Sequence, residues 1–148
     1  MESSLNRKAR GDLAEMIVAA DLMRRGFRIA FPFGEESDFD LILVAGPRLG
    51  RVQVKFTQSD GAVITVRCGS HSLTNGKVRQ TKRYTAASID VLAVYDKTTD
   101  RCYYVPAGEL GGGRSMLHLR LTPAHNGQSA RIRPAVEYLD PMAALGPA

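Results

Sequence analysis

A chain of 148 residues can bury one substantial core but not two comfortable ones, so residues 1–148 are read as a single domain. Twenty Lys and Arg against fifteen Asp and Glu leave a net charge of +5 and a pI near 9.5, a balance that suits a polyanionic partner. No apolar run reaches the length of a bilayer span, which excludes a helical membrane protein, and without a secretory signal the expected location is the cytoplasm. Cys68 and Cys102 have no metal-type spacing and read as small, half-buried, reduced residues.

Residues 5–25 carry a helical period. Leu13, Met16, Ile17, Ala20 and Met23 form one apolar stripe, Arg24 and Arg25 fall in the last turn, and Gly26 stands where a helix ends. Glu15 lies off the centre of that stripe, on the flank with Gly11, Asp12 and Ala19, where a carboxylate can face a neighbouring sheet. The plainer reading is a solvated Glu paired with a nearby cation.

Phe27, Ile29 and Phe31 then alternate with polar or small residues as a short strand ended by Pro32. Residues 39–45 read as a buried strand, 46–50 as a turn, and 51–57 as an antiparallel partner. Gln53 and Lys55 stand two apart and share one strand face, while Val52, Val54 and Phe56 take the other. A fold-back centred between Pro47 and Arg48 would set Asp40 opposite Lys55 on the same face. Three polar heads on one ribbon make an active-site layout; the plainer reading is the exposed face of an ordinary strand.

After the Asp60-Gly61 turn, Val63 to Val66 supplies another strand in the meander. Residues 69–84 read as a basic loop for gripping nucleic acid. Lys77, Arg79, Lys82 and Arg83 would contact phosphates, and Asn75 and Gln80 base edges, with a solvated loop weighed evenly against this. Residues 89–95 and 101–105 form a hairpin, in which one of Tyr103 and Tyr104 packs and the other is exposed. The loop Gly111-Gly112-Gly113 lacks the Gly-Lys-Ser/Thr of a phosphate-binding P-loop, and Leu117, Leu119 and Leu121 mark a further strand. Arg131 and Arg133 form a second positive patch or are solvated or salt-bridged residues. His71, His118 and His125 share no spacing that builds a zinc site or a Ser-His-Asp relay, which leaves His71 as a phosphate contact at most.

Three segments, Gly11-Asp12-Leu13-Ala14-Glu15, Phe31-Pro32-Phe33-Gly34-Glu35 and Arg51-Val52-Gln53-Val54-Lys55, together with Asp40, resemble the PD-(D/E)XK nuclease superfamily. The branch they are most similar to contains group I intron homing endonucleases. The resemblance implies an α/β fold with a restriction-endonuclease-like core: an N-terminal helix packed on a mixed β-sheet, with additional C-terminal strands. It also implies metal-assisted phosphodiester hydrolysis. Asp40 would anchor a Mg²⁺ ion, with Mn²⁺ as the alternative, and the Val54 carbonyl and Gln53 amide oxygen would complete part of its shell. Lys55 would stand beside the attacking water and the charge developing in the transition state, and Glu15 would hold a water beside the ion or a second ion.

The motif is altered in two places. Ser37 or Phe39 stands where the name-giving Pro would be, according to whether Asp38 or Asp40 is the motif Asp, and Asp40 is favoured because Asp38 lies one pair further from Lys55. Gln53 replaces the acidic residue and offers an oxygen without a charge, as the homing-endonuclease branch also does. Three functions remain open: a sequence-specific double-strand DNA endonuclease working as a homo-oligomer, dimer or tetramer; a Holliday-junction resolvase; and a non-catalytic DNA-binding module.

Overall fold

The structure, a computed structural model, describes residues 4–74, 77–123 and 132–147, with the side chains of residues 70–81 outside the description. Helix α1 (Arg7–Arg24) begins where the Asn6 side chain accepts the Ala9 N–H at 2.8 Å. It ends in a Schellman motif: Gly26, at φ 93°, donates to the Met23 carbonyl (3.0 Å) and Phe27 to the Leu22 carbonyl (3.1 Å). The buried face is Ala14, Val18, Ala19 and Leu22. The expected stripe is the wrong one, since Leu13, Met16 and Met23 are 38, 56 and 62% exposed. Both sets have helical spacing; the small Ala14 and Ala19 let α1 lie close on the sheet, and Leu22 fills the remaining space. Leu22→Ala is expected to cost about 2–5 kcal/mol, read as a lower urea midpoint at unchanged slope.

The strands that follow are β1 (Arg28–Ala30), β2 (Leu41–Ala45), β3 (Arg48–Thr57), β4 (Val63–Arg67), β5 (Gly69–Thr74), β6 (Lys77–Arg83), β7 (Val91–Asp96), β8 (Arg101–Pro106) and β9 (Met116–Arg120). A short helix, α2 (Pro141–Leu145), follows them. The central sheet has the order β1-β2-β3-β7-β8, with β3 and β7 parallel and the other pairs antiparallel. Helix α1 covers the face that carries Val52, Val54, Val91, Ala93 and Tyr104. The opposite face, with Leu92, Val94, Tyr103 and Val105, is covered by Ile64, Val66, Leu117 and Leu119 of a β4–β9 ribbon. The expected α/β class, an N-terminal helix on a mixed sheet with further C-terminal strands, is the architecture observed.

Four local expectations change. The β2–β3 turn is two residues, Gly46-Pro47, so Ala45 pairs with Arg48 and Leu41 with Val52. Gly46 takes φ 60° and Pro47 locks the next φ, which allows a tighter reversal than the expected turn and brings Asp40 level with residues 52–54 rather than opposite Lys55. Strand β4 leaves the meander and pairs with β9, because Ile64 and Val66 can bury only against the second face of the sheet. The basic segment is not a loop: β5 and β6 form their own antiparallel ribbon. Finally, Tyr103 and Tyr104 are both buried, one on each face of β8, and their hydroxyls donate to Thr99 Oγ1 (3.1 Å) and Asp21 Oδ2 (2.5 Å). Among the described residues no helix is long and apolar enough to cross a membrane.

Candidate active site

Strand β2 stops at Leu41, whereas β3 continues from Val52 to Thr57 with only β7 beside it, leaving one edge of β3 open. Asp40 sits at that edge. Its N–H donates to the Val52 carbonyl (2.8 Å) and its carboxylate accepts the Val54 N–H (2.9 Å), so the residue brackets Gln53. Burial raises the Asp40 pKa, opposed by the Val54 N–H and by the charge of Lys55.

Glu15 approaches the same edge from α1. Its carboxyl is pushed up to about 7, first by burial, then by the charges of Asp40 and Asp12, with Lys8 acting the other way. Lys55 comes from the opposite face of the sheet. Its Nζ donates to the Gly69 carbonyl at 3.2 Å and lies 5.3 Å from the centre of the Tyr84 ring. Burial lowers the Lys55 pKa, Asp40 raises it, and the nearby Arg67 lowers it further. Gln53 is buried at 8% exposure, and its Nε2 lies 3.4 Å from the Val54 carbonyl oxygen. Asp40 thus links the site: its charge acts on Glu15 from the helix face and on Lys55 from the ribbon face, and its two backbone bonds bracket Gln53.

Among the described residues no three His, Cys, Asp or Glu side chains gather at one point. The set here has two carboxylates and is completed by neutral oxygens, the Gln53 amide and the Val54 carbonyl, all of the hard type that Mg²⁺ or Mn²⁺ takes. Burial raises the pKa of both carboxyls, and Asp40 adds to the rise at Glu15; a bound cation would relieve this cost, so the residues fit a divalent ion.

The rival carboxylate, Asp38, is engaged elsewhere, in an ion pair with Lys82 at the base of β6. Lys82 is therefore tied to the site's margin, and Arg83 is exposed beside it, while the side chains of Lys77 and Arg79 lie outside the described residues. So does that of His71, and residues His125 and Arg131 lie outside them altogether. Arg133 is salt-bridged to Glu109 (2.7 Å), the plainer of its two readings. Sequence reasoning missed the seat of Lys55. Tyr84 reads as one more residue of a basic segment, and nothing local marks the Gly69 carbonyl. Gly69 lets β6 close on β5 beside this seat, because a Cβ there would stand 2.2 Å from the Lys82 carbonyl oxygen.

Residues 5–141 match the family described as PD-(D/E)XK endonuclease, and the chain belongs to that family. Its fold is the restriction-endonuclease-like one. The structure superposes on that of a bacterial homing endonuclease, I-Ssp6803I, with a TM-score of 0.71 over 90% of this chain and 88% of that one. Sequence identity between the two is 19%, so this likeness is one of fold. No curated protein matches the chain in sequence.

Proposed function

We propose that this protein is a metal-dependent DNA endonuclease that hydrolyses phosphodiester bonds at the β3 edge. The observation that carries the reading is the position of Asp40, bonded to the Val54 N–H and electrostatically coupled to both Glu15 and Lys55. Asp40, Glu15, the Gln53 amide oxygen and the Val54 carbonyl would hold a Mg²⁺ or Mn²⁺ ion. When bound, the ion supplies Lewis-acid polarisation of the phosphate and offsets the charge that develops on it. Lys55 places an ammonium beside the attacked phosphate, where it stabilises hydroxide and the transition-state oxygens. Glu15, with a carboxyl near 7, holds and orients a water at neutral pH.

The β5–β6 ribbon is the proposed DNA grip, through Lys77, Arg79, Lys82 and Arg83. One site cuts one strand, so double-strand cleavage requires a homo-oligomer, a dimer or tetramer. The likeness to a homing endonuclease favours sequence-specific duplex cleavage over junction resolution. Supercoiled plasmid with Mg²⁺ tests the activity, with EDTA and Lys55→Ala as controls and a four-way junction offered beside linear duplex. Intact protein that binds every DNA form but cuts none with Mg²⁺ or Mn²⁺ leaves only a binding module. Replacing Lys77 and Arg79 together by Ala is expected to flatten the log–log salt dependence of duplex affinity by about 2, measured by anisotropy.

A further inference from the structure

We propose that the cleft opening beside Lys55 toward residues 58–67 seats the phosphodiester backbone next to the scissile phosphate, with Arg67 as its cation; this rests on the nuclease reading above. The cleft has a volume of about 420 Å³. Its walls are the end of β3 from Lys55, the turn through Gln58 and Asp60, the side chains of Thr65 and Arg67 on β4, and Met116 on β9. Strand alternation builds it: Ile64 and Val66 go into the core, so Thr65 and Arg67 must face outward.

Among the described residues Arg67, like the exposed Arg83, is free where other cations near the site are paired. Lys82 is paired with Asp38, Arg51 with Asp90 and Arg133 with Glu109, whereas among the described residues Arg67 makes no ion pair or side-chain hydrogen bond. It lines the same cleft as Lys55, so the two positive charges face one cavity. Asp60 at the cleft rim keeps its negative charge, with Oδ1 held by the N–H groups of Ala62 (2.8 Å) and Val63 (3.0 Å), so the lining still sets two cations against one anion. Two cations lining one polar cleft are stabilised by an anion placed between them. A phosphodiester supplies that charge, while Gln58 and Thr65 offer further polar contacts to phosphate and sugar. A strand would then cross Lys55 with the base of the β5–β6 ribbon and this cleft both in reach.

The experiment measures anisotropy of a labelled short duplex over a salt series, in EDTA, so that no cleavage is needed. Arg67→Gln is expected to weaken binding about tenfold at low salt and to reduce the log–log slope by about 1, and Arg67→Lys to restore the slope. Arg24→Gln, an equal charge change at the far end of α1, is expected to keep the wild-type slope. Affinity and slope of Arg67→Gln equal to those of the wild type would overturn the proposal, as would a wild-type protein that binds no duplex. A wild type that binds but leaves plasmid uncut with Mg²⁺ would remove the nuclease reading, and the slope comparison would still decide whether this cleft takes a phosphate.

Discussion

Asp40→Asn is expected to lower single-turnover nicking of plasmid about a thousandfold, roughly 4 kcal/mol of transition-state stabilisation, while the protein stays folded. The fold survives because an amide oxygen can still accept the Val54 N–H that the carboxylate accepts now at 2.9 Å. What disappears is the negative charge between Glu15 and Lys55, and with it the main anionic holder of a cation. Lys55→Met separates the roles. It removes the ammonium but neither carboxylate, so the rate is expected to fall about a hundred- to a thousandfold with little change in the Mg²⁺ concentration needed for half-maximal effect. A Mg²⁺ titration of nicking by wild type and both variants checks this. Rates for Asp40→Asn within tenfold of the wild type would show that the site is misassigned.

Glu15→Gln is expected to make the protein more stable at pH 8 and at the same time poorly active. The Glu15 carboxyl titrates near 4.5 in the unfolded chain and near 7 in the folded one, chiefly because of burial and then of Asp40. A group whose folded pKa is raised contributes stability below its unfolded pKa and loses it as pH climbs through the folded value. The contribution of Glu15 therefore falls between about pH 4.5 and 7, and above that the site carries a crowded, half-buried charge. Glutamine resembles the protonated form at every pH, so the melting temperatures of variant and wild type should coincide near pH 4 and separate toward pH 8. Mg²⁺ is expected to raise the wild-type melting temperature at pH 8 and that of the variant much less, since an ion that binds the folded state stabilises it more the tighter it binds, with the logarithm of its affinity. Parallel melting curves across this pH range would show that Glu15 is not buried against Asp40.

The same contrast runs through what could be read before the fold was known. That Gln53 and Lys55 share a face, and that Val52 and Val54 take the other, follows from the two-residue repeat of any strand, and the Gly26 stop follows from the freedom of glycine at positive φ. These are properties of neighbouring residues, and the amino-acid order determined them by itself. So too did the basic, partly aromatic character of residues 69–84 and the helix that carries Glu15. The choice between two equally periodic faces of α1 depended instead on which side chains let the helix approach the sheet. The pairing of β4 with β9 depended on a second apolar face that exists only once β3, β7 and β8 stand side by side. Asp40 reached residues 52–54 through a tight turn at Gly46-Pro47, and Lys55 found Gly69 and Tyr84 only because two ribbons fold over its side of the sheet. Local alternation can say which way a polar head points; what it meets there is set by burial and charge summed over segments far apart in the chain, and only the packed tertiary structure decides that sum.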